Sequence, residues 1–166
     1  KLSKGIEGFD TSIIGSGGTV DSATQSLWGA DKKNALAVLP ALTLVATTPA
    51  ANNAIANGDM LQFGGTRFAT DVAYLTFDAT DTVYTDQALN ASGLAGINKT
   101  GYTFLGHLLS YVFDNAEPTW ISLGEDYFLY RTADNADTTN DPKLVVEYTG
   151  GGGGVATRRM LRGIGA

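Results

Sequence analysis

Apolar residues fall at alternate positions in short runs, and Gly, Asn and Asp punctuate the gaps between them. A period of two predicts β-strands with one buried face. In residues 19–28, Ala23, Gln25 and Leu27 share one face, while Thr24, Ser26 and Trp28 share the other. Leu42, Leu44 and Ala46 alternate with Thr43, Val45 and Thr47 in the same way. Residues 73–77, 82–89, 102–113, 126–132 and 143–149 read as further strands, 102–113 being the longest. In the last of them Leu144, Val146 and Tyr148 share one face, and Lys143, Val145, Glu147 and Thr149 the other. Gly15-Ser16-Gly17-Gly18 reads as a turn, and 52–59 as a loop or short helical turn carrying the tight-turn pair Asn57-Gly58.

One segment departs from this rhythm. Residues 91–100 place Ser92 as an N-cap, Leu94 and Ile97 three apart on one face, and Gly101 as the stop, which predicts a short helix. Many short strands with one small helix predict an all-β fold, an antiparallel jelly-roll-like β-sandwich, over residues 1–149. Gly150–Gly154 reads as a flexible linker. The tail, 155–166, carries Met160, Leu161 and Ile164 and reads as one or two helical turns.

Composition narrows the chemistry. The 166 residues are 43% hydrophobic and 17% charged, enough apolar matter for one core. There is no Cys, which excludes disulfides, thiolate metal sites and a thiol nucleophile. A single His, His107, excludes multi-histidine metal centres. Residues 1–149 hold all 17 acidic and 8 of the 11 basic residues, a formal charge of −9. Such a body repels phosphate backbones, so nucleic-acid binding by it is not expected. The tail holds the other three basic residues, Arg158, Arg159 and Arg162, a small basic surface for an acidic partner. No apolar run approaches the ~18–20 residues that a helical membrane span needs.

Each candidate site has a plain structural alternative. His107 falls on the inward face with Leu105, Leu109, Tyr111 and Phe113, as a core histidine bonded to a backbone group would. Gly15-Ser16-Gly17 lacks the spacing of a nucleophile elbow. The pairs Asp78/Asp81, Glu125/Asp126 and Asp134/Asp137 read as solvated loop carboxylates, and no catalytic residue is assigned. Asp134, Asp137 and Asp141 form the densest group of hard oxygen ligands, which calcium takes. Asp and Asn are also ordinary turn formers, so no cofactor is expected and calcium is the alternative. Trp120, Tyr127 and Tyr130 are the candidates for a sugar-stacking platform, against the commoner use of strand aromatics in cores. The most informative oddity is that Phe104, Leu108 and Val112 make the second face of 102–113 apolar as well. A solvated face is polar, so this one predicts a cover: another subunit, or a loop of the same chain.

Several segments together resemble a known family. They are Gly8-Phe9-Asp10-Thr11-Ser12-Ile13, Val20-Asp21-Ser22-Ala23-Thr24, the stretch 89–103, Phe113-Asp114-Asn115, Pro118-Thr119-Trp120, Tyr130-Arg131-Thr132-Ala133-Asp134 and the stretch 141–149. In this combination the chain resembles the disaggregatase-related, DNRLRE-type β-sandwich domains and their phage and metagenomic relatives. It departs from their pattern at Gln25, where an inward aliphatic is expected, and at His107-Leu108, in place of an aliphatic–basic pair. Relatives also carry further strand material before the position of Gly5. The resemblance implies a non-catalytic module of a virion or an extracellular surface, such as a phage fibre or decoration protein. Its partners would be its own copies and other structural proteins. The alternative is a carbohydrate-binding or adhesion module of a secreted surface protein, filament formation included.

Overall fold

The computed structural model describes residues 4–36, 38–51, 56–133, 138–151 and 157–162. Among these residues ten strands form: β1 (Lys4–Asp10), β2 (Gly18–Asn34), β3 (Ala41–Thr47), β4 (Phe63–Arg67), β5 (Val72–Ala73), β6 (Tyr84–Ala88), β7 (Tyr102–Leu109), β8 (Asp126–Tyr130), β9 (Lys143–Gly150) and β10 (Thr157–Arg162). All strand pairs are antiparallel. One five-stranded sheet runs β1-β7-β3-β4, with β5 also on β3; the other runs β10-β9-β2-β6, with β8 also on β2. They pack face to face as a β-sandwich.

The longest strand is β2, not the 102–113 segment. It carries β9, β6 and β8 in turn, and bulges between Val20 and Ser22 and between Gly29 and Asp31 re-aim it along the way. Gly29 is required there: a Cβ on it would lie 1.8 Å from the Asp78 carbonyl oxygen.

The 102–113 alternation stops at Leu109. Ser110–Phe113 forms one helical turn, α2, and the Ser110 hydroxyl accepts the Ala41 N–H at 3.0 Å. The turn rotates Val112 out of register, so it packs on the inner cluster with Leu109 and Phe128. The earlier helix, α1 (Ala91–Ala95), is shorter than its sequence suggests. Its cap is Asn90, whose side chain accepts from the Gly93 N–H at 3.0 Å, so Ser92 lies inside it. Of residues 73–77 only Ala73 stays in a strand; the chain turns, and Phe77 drops into the core. β4 was not evident in sequence because Gly64 and Gly65 interrupt its alternation. The tail does not form helical turns where it is described. Thr157–Arg162 pairs with β9 as an edge strand, Arg158 opposite Glu147, Arg159 opposite Val146 and Arg162 opposite Lys143.

Two apolar clusters lie between the sheets. One gathers Phe9, Ala23, Leu44, Leu105, Leu144 and Val146 beneath α1. The other gathers Leu27, Leu42, Phe77, Leu109, Tyr111 and Phe128 at the opposite pole. The outer face of the β1-β7-β3-β4 sheet is also covered. Leu108 and Val45 are buried there, and the Phe63 ring occupies the space a Cβ would take on Gly106, 2.6 Å from it. Lys4 ties the cover down: its Nζ lies 5.1 Å from the centroid of the Phe63 ring and donates to the Met60 carbonyl at 3.0 Å. An intrachain segment therefore shields this second apolar face.

Candidate functional site

Between the two apolar clusters lies a buried polar layer. Inward positions on four strands supply it: Glu7 of β1, His107 of β7, Gln25 of β2 and Gln87 of β6, all buried. Because a carboxylate only accepts, His107 Nδ1 carries the proton and donates to Glu7 Oε2 at 2.9 Å. Gln25 Nε2 donates to the same oxygen at 3.3 Å. The Tyr130 hydroxyl, from the end of β8, donates to Glu7 Oε1 in a short hydrogen bond. The Tyr130 ring also meets the His107 ring edge-on, with centroids 5.6 Å apart. His107 is thus a core histidine, but its partner is a side-chain carboxylate and not a backbone group. Glu7 takes hydrogen bonds from both sheets, so the cluster ties them together across the sandwich.

Burial raises the Tyr130 hydroxyl well above the usual tyrosine range, and the Glu7 charge and hydrogen bond add to this. Burial also raises Tyr111, whose hydroxyl donates to Asp126 at 3.2 Å. A tyrosine raised on folding keeps its proton longer than it does in the unfolded chain. Its contribution is therefore intact below the unfolded value, about pH 10, and falls as pH rises from there toward the folded value. In an absorbance titration of the seven tyrosines, Tyr130 and Tyr111 will ionise last, together with unfolding. Tyr130→Phe will flatten the alkaline loss of stability; an unchanged slope would refute this account.

The sequence candidates scatter. Tyr127 and Tyr130 lie three apart on β8 and point to opposite faces: Tyr127 outward, donating to Asp31 at 2.8 Å, and Tyr130 into the core. Trp120 stands in the β7–β8 loop, its Nε1 donating to Glu117 at 3.3 Å. These three aromatics do not form a common platform. Asp134 and Asp137 lie outside the described residues. Asp141 is buried, and its carbonyl accepts from the Tyr84 hydroxyl at 3.1 Å. Phe104 is half-buried and stacks on Tyr102, Leu108 is 5% exposed beneath the chain's own cover, and Val112 belongs to the inner cluster, so the three share no open face. Arg158, Arg159 and Arg162 lie on edge strand β10. An open groove of about 550 Å³ runs beside β6, lined by Thr70, Asp71, Thr76, Tyr84, Thr85 and Asp86 among others.

The surface that stands out most is not among the candidates read from sequence. At the pole of the second apolar cluster, three loops lie side by side. The β2–β3 loop is tied to the β7–β8 loop: Ala35 N–H donates to the Glu125 carbonyl at 3.2 Å, and Asp126 Oδ1 accepts the N–H groups of Ala35 and Leu36 at 2.8 and 3.1 Å. Tyr74 N–H donates to the Pro40 carbonyl at 3.1 Å and brings in the β5–β6 loop. On these three loops Leu123 is 94% and Leu75 77% exposed, and Val38, Leu39, Trp120 and Ile121 are exposed as well. Leu123 is held at φ 63°, in the left-handed region that branched side chains avoid. Periodicity could not reveal this group, because loops have none; a scan for large apolar residues between strand runs would have.

No helix among the described residues is long and apolar enough to cross a membrane. No family model, curated protein or solved structure matches the chain.

Proposed function

We propose that this chain is a non-enzymatic structural and interaction subunit of a larger assembly, of the kind its sequence resemblance suggests: a phage fibre or capsid decoration protein. The observation that carries the reading is the apolar pole. Single exposed hydrophobics are normal on soluble proteins, but six large ones on three loops tied to one another mark a contact surface. Around it the body is suited to a passive role. Both faces of one sheet are covered, and Glu7 of that sheet accepts from Gln25 and Tyr130 of the other.

Sedimentation velocity over a wide concentration range tests this. Association by any surface is the expected result. A chain that stays monomeric at millimolar concentration would overturn the reading.

The groove beside β6 favours glycan binding as a second reading. Its mixture of hydroxyls, carboxylates and one aromatic edge suits a hydroxyl-rich ligand. Retention on polysaccharide columns that Tyr84→Ala abolishes would support it.

A further inference from the structure

We infer that the apolar pole is a self-complementary interface, and that its occupant is a second copy of this chain related by a two-fold axis. This rests on the assembly reading above and names its first partner.

Area is the first argument. Six Leu, Ile, Val and Trp residues, from 42% to 94% exposed, together present on the order of 600 Å², at the upper end of a typical monomer's largest apolar patch. That approaches the ~800 Å² per partner of a stable protein–protein contact.

Charge is the second. Residues 35–40, 73–77 and 118–124, which carry all six side chains, contain no charged residue. A two-fold contact sets each group near its own counterpart, so a charged surface repels itself. Residues 1–149 carry a formal charge of −9, and copies meeting through their acidic flanks would suffer that repulsion. The flanking acids at the pole are already engaged: Glu125 pairs with Lys33 at 3.1 Å, and Glu117 accepts the Trp120 N–H.

The third argument is that no other fitting surface occurs among the described residues. There the remaining exposed large hydrophobics are Ile13, Leu61, Val83 and Leu129. They lie on four different elements: the turn after β1, the end of the 3-10 turn before β4, the approach to β6, and β8. A head-to-tail contact needs a second patch to receive the first. Among the described residues only the pole matches the pole. The contact is therefore isologous and closes as a dimer, to which the rest of an assembly could add.

The chain has no native cysteine, so single cysteines can report the contact. Leu123→Cys at the pole and Ile13→Cys at the opposite end are both exposed and leave the core intact. Under mild oxidation Leu123→Cys should form a disulfide-linked dimer at least tenfold faster than Ile13→Cys. In sedimentation equilibrium, Leu123→Glu with Ile121→Glu should raise the dimer dissociation constant at least tenfold, with circular dichroism and melting temperature unchanged.

Equal cross-linking rates, or a dimer that survives the two glutamates, would overturn the pole contact while leaving the assembly reading in place. No association by the wild-type chain at any concentration would overturn both. Binding of the monomer to phosphatidylcholine vesicles through the pole, without dimer formation, would assign the surface to lipid and overturn the inference.

Discussion

Glu7→Leu is expected to cost at least about 3–5 kcal/mol of stability, the usual penalty for stranding one side of a buried polar pair. Glu7 is the acceptor for His107 Nδ1, Gln25 Nε2 and the Tyr130 hydroxyl. Leucine fits the volume but leaves three donors between the sheets without a partner, each at roughly 1–3 kcal/mol. Against a typical total of about 5–15 kcal/mol, that brings the domain close to unfolding at room temperature. Glu7→Gln should cost less, because it keeps one carbonyl oxygen for His107 and Gln25. The double variant Glu7→Leu/His107→Leu should recover part of the loss, because it removes a stranded donor along with its acceptor. Urea midpoints at constant m value would measure all three. A Glu7→Leu midpoint indistinguishable from wild type would show that the polar layer contributes nothing to stability.

That layer was half legible in the sequence. Gln25 and His107 each stand where the strand period calls for an aliphatic, and an inward polar residue needs a partner. The two meet at a single atom, Glu7 Oε2. Pattern alone could not find the partner, because strand pairing sets which residues meet. His107 lies opposite Gly5 in the β1–β7 register, and Glu7 is reached only one inward position along. Strand existence was legible where alternation was clean, as in β2, β3 and β9. It failed at β4, which two glycines interrupt, and at α2, where one helical turn continues an apolar run. The tail shows a third limit. Six residues after a glycine run have no periodicity of their own, and pairing with β9 supplies the strand. The sequence pattern points to the outer sheet face as the contact surface, because apolar residues at 104, 108 and 112 call for a cover. The cover is Phe63 and its neighbours, which lie 40 or more residues earlier in the chain, beyond the reach of local pattern.

A single methyl group should separate the two sheets' polar contacts. Gly5 is the gap through which Tyr130 reaches Glu7: a Cβ at this position would lie 1.7 Å from the Tyr130 hydroxyl oxygen and 2.9 Å from its Cζ. In Gly5→Ala the ring must swing out, which breaks its bond to Glu7 and opens one end of the polar layer. Overpacking costs about 1–3 kcal/mol and a lost hydrogen bond to a charged group about 1.5–3 kcal/mol. A loss of roughly 3 kcal/mol lowers the melting temperature by about 6–12 °C in a chain of this size. Tyr130→Phe alone should cost only the hydrogen bond. If the clash is with the hydroxyl, adding Tyr130→Phe to Gly5→Ala costs little more, and the pair couples by about 1.5 kcal/mol or more. The displaced ring gives a second readout. In Gly5→Ala, Tyr130 should titrate with the ordinary tyrosines, because its burial and its Glu7 contact are both gone. Strict additivity of the two substitutions, with the tyrosine titration unchanged, would mean that β1 shifts to accommodate the methyl group and that Tyr130 stays in place.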